Sequence, residues 1–340
     1  MRVVTAIVCA LLGVGVFQVA GAVPAGRGAA PGGAGPRISG PYVYENLDVY
    51  LVHGGDRMGG RKLLPLAQAL AEGKVIVRET GNVSSLTVEN LSKQEVYVQA
   101  GEIVKGGRQD RVLSSDLVLP PKSGKVEIGS FCVEHGRWTK RGAEEADRFA
   151  SSEAYLAHKD LKMANNKGDQ GEVWQNVQRV QEKLSANLKG EVRGAQSGSS
   201  LQLTLENDRV RKGVEGYVSA LSPLLEKHAD AVGYVFAING TLNSAELYAS
   251  PALFRALWPK QIRANAVEAV AERRDGAPHT PPAIEAVRAL LGDPEKGAVT
   301  EKATSTDTRA VARETESRVV IETQEKERKS AWIHQSYLKK

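Results

Sequence analysis

Between Gly101 and Arg111 the chain reads Gly-Glu-Ile-Val-Lys-Gly-Gly-Arg-Gln-Asp-Arg, and a second polar stretch, Ser130 to Trp138, reads Ser-Phe-Cys-Val-Glu-His-Gly-Arg-Trp. If Ile103, Val104 and Val112 fill a core, Lys105, Arg108, Arg111 and Arg137 can converge on the Gly106-Gly107 backbone, with Gln109, Asp110, His135 and Trp138 beside them. Cations set against close backbone N–H donors suit a phosphate or a carboxylate. A plainer arrangement uses the same residues: Glu102, Asp110 and Glu134 pair with these bases on a hairpin surface and nothing is bound.

Catalysis has two candidate forms in these stretches. Side chains alternate along a strand, so Cys132 and Glu134 share a face with His135 next in sequence, which is the composition of a histidine-activated thiol. A nucleophilic thiolate needs an accessible, electropositive setting, and burial as a small hydrophobe is the commoner fate of a lone cysteine. Glu102 and Glu134 can instead act as general acid and base, or be consumed in salt bridges to Arg111 or Arg137. The chain has no His-Glu-x-x-His, Cys-x-x-Cys, Gly-x-Ser-x-Gly or complete dinucleotide glycine fingerprint. Histidines at 53, 135, 158, 228, 279 and 334 match no zinc spacing, so no metal is expected. The glycine-rich loop Gly54 to Lys62 lacks the Gly-Lys-Ser/Thr ending of a phosphate loop and reads as a mobile connection.

The elements that must position these groups change character along the chain. Leu47 to Val52 alternates as a strand, and a short helix through Leu63, Leu66 and Leu70 ends at Gly73. From Lys74 to Glu134 short β-rich runs are punctuated by Gly81-Asn82, Gly106-Gly107 and Pro120 to Gly124, which predicts a sandwich or a partly closed barrel. Beyond Arg141 the period becomes helical, with stripes through Val173 to Leu188 and Val210 to Leu225. Val232 to Ile238 reads as a buried strand. Ser250-Pro251 is a capped helix start, with Pro259 expected to kink or restart the helix. Trp174 and Trp258 sit in helical stripes as core residues. A shorter helix at Ile284 to Leu291 precedes strands at Ala298 to Lys302, Arg309 to Arg313 and Arg318 to Glu322, which are expected to join the Val232 strand in a second sheet.

The fold expected is therefore α+β: an N-terminal, mostly antiparallel β domain packed on a C-terminal α/β half with amphipathic helices. The boundaries drawn are a leader at 1–22, a Gly/Ala/Pro linker at 23–40 with order beginning near Tyr42, the β domain at 41–140, the α+β half at 141–325 and a tail at 326–340. Arg2, the apolar run Val3 to Val19 and the small residues Ala20-Gly21-Ala22 have the form of a cleavable secretory signal, predicting a periplasmic or extracellular protein without a membrane anchor. Loss of Cys9 with the leader would leave Cys132 alone, so no intrachain disulfide is expected.

The chain resembles a little-characterised family, the domain associated with ADP-ribosylglycohydrolases and rhodanese-type phosphatases. The resemblance runs from about Tyr44 to Ala271 and rests on Val98 to Arg111, on Phe131 to Trp138 and on Ser250-Pro-Ala-Leu-Phe-Arg-Ala-Leu-Trp-Pro-Lys260. It implies an association with ADP-ribose or phosphate-ester metabolism and carries no assigned reaction.

Composition narrows the partners. Basic and acidic residues number 45 and 40, mostly interspersed, and aromatics are only 5%, which argues against a nucleic-acid surface. Two functions of different class remain: an exported binding protein for a phosphorylated or carboxylated small molecule, and a structural or interaction module of the envelope without catalysis. The residues identify no cofactor and no protein partner.

Overall fold

The computed structural model describes residues 36–274, 276–292, 297–305, 307–326 and 332–340. The expected leader, Cys9 and the linker up to residue 35 lie outside the described residues. The first elements are β1 (Arg37–Tyr44), β2 (Leu47–His53), β3 (Leu64–Pro65), α1 (Leu66–Ala71), β4 (Val75–Glu79), β5 (Ser85–Asn90), β6 (Val96–Val98) and β7 (Glu102–Gly106). There follow β8 (Arg111–Leu113), β9 (Leu117–Leu119), β10 (Gly124–Cys132), β11 (Arg148–Tyr155), α2 (Lys159–Lys167), α3 (Gln170–Asn187), α4 (Leu201–Glu206), α5 (Asp208–Leu221) and α6 (Leu224–Lys227). The chain continues with β12 (Ala231–Ile238), β13 (Thr241–Tyr248), α7 (Pro251–Ala271), α8 (Ile284–Leu291), β14 (Ala298–Ala303), β15 (Thr308–Glu314), β16 (Arg318–Glu325) and β17 (Trp332–Lys339).

Alternation in β2 decides how the largest sheet is covered. Leu47, Val49 and Leu51 pack with Tyr234, Phe236, Phe254 and Trp258 on the α7 side. Tyr50 and Val52 pack with Val235, Ala245, Val287 and Leu290 on the α8 side. With both faces covered, β12 is buried along its whole length, which is why Ala-Val-Gly-Tyr-Val-Phe-Ala-Ile reads as an unbroken apolar run. The eight strands lie in the order β1-β2-β12-β13-β17-β16-β15-β14.

Six shorter strands, β10-β5-β4-β11-β7-β8, close into a barrel, and β3-β6-β9 form a small third sheet. The barrel is filled by Val77, Leu86, Val88, Val104, Leu113, Ile128 and Phe149. β10 closes it by pairing with β5 through Gly124 to Gly129 and then with β8 through Ser130 to Cys132. The architecture is α+β, with mostly antiparallel β structure before the helices.

Several sequence expectations need correction. β1 begins at Arg37, inside the stretch read as linker. No spatial break falls at residue 140: β2 pairs with β12, and β11 completes the barrel by pairing with β4 and β7. The stretch 326–340 holds β17, a strand between β13 and β16. Its buried positions alternate Ile333 and Tyr337 with His334 and Ser336, so no apolar period marks it. α7 runs as one helix through Pro259, so the helix does not restart there. An interior proline costs about 3 kcal/mol, whereas each fully buried side chain such as Phe254 or Ile262 contributes about 1.5–3 kcal/mol. The remaining helix starts follow local chemistry: Ser250 caps α7 by accepting the Ala252 N–H, with Pro251 in the first turn.

Candidate functional site

The parity that points Val77, Leu113 and Ile128 into the barrel also turns Glu79, Arg111 and Cys132 inward at one end of it. Arg111 is wholly buried. Its Nη1 donates to Cys132 Sγ at 2.6 Å and to Gln109 Oε1 at 3.2 Å, and Nη2 lies 3.6 Å from Glu79. The Cys132 thiol faces Gln109 Oε1 at 3.1 Å. Burial pushes that thiol's pKa up despite the Arg111 charge, so the buried group is a thiol and not a ready nucleophile.

Around this core the predicted acids and bases meet each other. Asp110 accepts both guanidinium nitrogens of Arg141, at 2.7 and 3.0 Å, and the Ser200 hydroxyl at 3.1 Å. Glu134, also buried, accepts from Arg137 Nε at 2.8 Å, and Gln109 donates to the Glu134 carbonyl at 3.1 Å. Lys105 reaches Glu206 at 2.6 Å. Trp138 lies over Arg108 and Arg111, with the guanidinium carbons 5.3 and 5.6 Å from its ring centre. His135 is exposed and meets the edge of Trp174 at 4.5 Å. Glu102 stands apart at the opposite end of β7, 3.1 Å from Lys260.

The glycines serve the chain itself. Gly106 N–H donates to Asp110 at 3.1 Å and Gly107 N–H to the Arg148 carbonyl at 3.1 Å, so neither amide is left for an anion. A Cβ on Gly107, whose φ is +55°, would lie 2.3 Å from the Phe149 ring. This end of the barrel fastens the β7–β8 turn to β4 and to the segment after β10. Nε and Nη2 of Arg111 and Oε1 of Glu134 have no hydrogen-bond partner among the described residues.

A different set of residues lines a cleft of about 330 Å³ between α2, the loop before β9 and the β14–β17 face of the large sheet. That volume falls in the range of small-molecule sites. At its floor His334 donates from Nδ1 to Asp116 at 2.7 Å and from Nε2 to Glu246 at 2.9 Å. Asp116 also accepts from Tyr97 at 2.9 Å, Thr323 at 2.8 Å and the Ala100 N–H at 2.6 Å, and Glu246 from Lys162 at 2.8 Å. Tyr248 stacks on the imidazole at 4.7 Å.

Burial alone would lower the His334 pKa, but the two carboxylates carry it up to about 9. Burial likewise opposes ionisation of Glu246, yet Lys162 and His334 hold it down to about 2. With both nitrogens donating to anions, His334 has no free lone pair for base catalysis. The walls add Ser114, Ser115 and Asn165 on one side and the apolar Ala312, Val319 and Ile321 on the sheet, where Ser336 lies beside Ile321. Asn165 Oδ1 is buried without a hydrogen-bond partner. Lys302 lines the cleft with no ion pair among the described residues, and Lys167 pairs with Glu172 at 3.0 Å.

This cleft has almost no linear signature because its parts are remote: His334 and Asp116 are 218 positions apart. The only signal was a histidine within an otherwise ordinary tail. Among the described residues no group of His, Cys, Asp or Glu is arranged to hold a metal ion.

Fold and cleft together define an α+β protein with a closed six-stranded barrel and a large antiparallel sheet, one face of which forms a polar, charge-paired cleft with α2 and the loop before β9. The family model of the ARG and Rhodanese-Phosphatase-superfamily-associated Protein domain matches residues 35–338, and the chain belongs to that family. No curated protein and no solved structure matched it.

Proposed function

We propose that this chain binds a small phosphorylated or carboxylated molecule in the cleft floored by His334, without performing a reaction there. The observation that carries the reading is the division of charge in that cavity. Floor charges are matched against one another: Asp116 and Glu246 against His334 and Lys162. Among the described residues Lys302, exposed on β14, is left over, with hydroxyl and amide groups on the walls to orient polar atoms. An anionic head beside Lys302 and Lys167 and an apolar portion against Val319 and Ile321 would complement such a lining. Binding suits the site better than acid–base chemistry because its one histidine is saturated.

The barrel-end residues Lys105, Arg108, Arg111 and Arg137 supply a framework role in this reading, since their partners come largely from the chain itself. The setting remains the exported one expected from Arg2 to Ala22. N-terminal sequencing of the secreted product would test it, with Val23 as the expected first residue.

The binding test is a thermal-shift titration with inorganic phosphate, sugar phosphates, short carboxylates and ADP-ribose, the last chosen for the family's association. A ligand at a hundredfold excess over its Kd stabilises the fold by about 2.7 kcal/mol. A Lys167→Ala/Lys302→Ala variant should fold normally and bind at least about tenfold more weakly, about 1.4 kcal/mol. Flat melting curves across the series, or equal affinity in the variant, would remove the proposal.

A further inference from the structure

Away from that cleft, on the edge of the large sheet, three residues make a second constellation. β1 is the edge strand, paired only with β2, and Arg37 stands opposite His53 in their register. Ser39, two positions along, shares the Arg37 face and comes diagonally within reach of the same histidine. Asp230, just before β12, approaches His53 from the other side, because β12 pairs with β2 through Ala231 and His53.

The resulting contacts form a chain. Ser39 Oγ lies 2.7 Å from His53 Nε2, and His53 Nδ1 lies 3.0 Å from Asp230 Oδ1. Arg37 pairs with the second oxygen of Asp230. The His53 side chain is only 2% exposed, so its ring is held, while Ser39 on the edge strand is half-buried. A register shift at Gly40-Pro41 turns Tyr42 back to the same side, with its hydroxyl 3.1 Å from Ser39 Oγ and 2.7 Å from His228 Nε2. Only glycine suits the bend: Gly40 has φ +113°, and a Cβ there would lie 2.8 Å from the Val49 carbonyl.

We propose that Ser39, His53 and Asp230 act as nucleophile, base and orienting acid of an esterase site for small carboxylic esters. With the His53 proton on Nδ1 and directed at Asp230, Nε2 presents its lone pair to the Ser39 hydroxyl, the arrangement that activates serine in unrelated hydrolases. Ser39 Oγ bonds to the ester carbonyl carbon as its proton passes to His53 Nε2, and the carbonyl electron pair moves onto oxygen. The Tyr42 hydroxyl, which donates to Ser39 Oγ at 3.1 Å, would turn to that developing oxyanion as its donor. Collapse breaks the bond to the alkoxy group, which leaves as the alcohol with the proton from His53. Water then gives a proton to His53 and attacks the acyl-Ser39 ester. The proton returns to Ser39, and the sum is ester plus water to acid plus alcohol.

The test uses the full chain, p-nitrophenyl acetate as substrate and a fluorophosphonate as covalent probe. Peptide mass mapping of the native protein should place the phosphonyl adduct on Ser39. Ser39→Ala and His53→Gln should each lower turnover by at least about a hundredfold, short of the larger losses seen in optimised triads. Unchanged circular dichroism in Ser39→Ala would separate lost chemistry from lost folding. Adduct mapping on the unaltered chain decides the matter even if a variant fails to fold. Absence of turnover, absence of the adduct, its appearance on another serine, or full activity in folded Ser39→Ala overturns the proposal.

Discussion

His334 and Arg111 are both buried cations, Arg111 sealed inside the barrel and His334 at the floor of a cleft, and their surroundings make different demands on them. His334 donates to a carboxylate from each ring nitrogen. Replacing it by glutamine would leave Asp116 and Glu246 buried without their shared counter-charge, a loss of about 3–5 kcal/mol in chemical denaturation. Its folded pKa of about 9 lies above the ordinary 6.5, so the bridge contributes fully below about pH 6.5 and is lost as pH rises through 9. Glu246, held near 2 against an ordinary 4.5, contributes above about pH 4.5 and loses that as pH falls through 2. Urea midpoints should therefore fall as pH rises from 6.5 through about 9. That decline should largely vanish in His334→Gln; an equal decline in both proteins would assign it to other groups.

At the scale of elements, the β7–β8 turn is where close backbone approach and charge pairing coincide. Arg108 and Arg111 both lie near Trp138, but only Arg111 is buried against Cys132, Gln109 and Glu79. Arg111→Ala is expected to cost about 3–5 kcal/mol by stranding buried groups, whereas Arg108→Ala, an exposed cation on a ring, should cost about 0.5–1 kcal/mol. Equal losses in urea denaturation would show that this end of the barrel does not depend on the buried guanidinium. Gly107 belongs to the same device, since its positive φ lets the turn pass directly over Phe149.

For the whole molecule, the decisive connection is that β17 lies inside the large sheet between β13 and β16. It also supplies His334 to the cleft and Ile333, Tyr337 and Leu338 to the core. Deleting residues 326–340 would expose the facing edges of two strands and remove the floor of the cavity. The truncated chain should lose its cooperative thermal transition, as read by near-ultraviolet circular dichroism; a native-like transition would mean that the sheet closes without β17.

The strongly patterned elements were legible because their signals are local. The Ser250-Pro251 cap, the helical stripe from Val173, and the apolar runs of β2 and β12 each carry their own period. β11 and β17 escaped because their buried positions include Ser336 and also Ser152 and His334, the last two satisfied by distant partners. Gly106 and Gly107 were recognised as backbone positions of close approach, but sequence could not tell whether a ligand or Phe149 was the neighbour. Ser39 fell in a stretch read as linker, so its partnership with His53 and Asp230 had no linear signature. What the sequence determined alone was the α+β class, most of the element starts and the family resemblance, since caps, periodicity and family strings act over a few neighbouring residues. Only the tertiary structure decided which charges cancel, that the barrel closes and where a cavity remains, because those depend on pairing across the whole length of the chain.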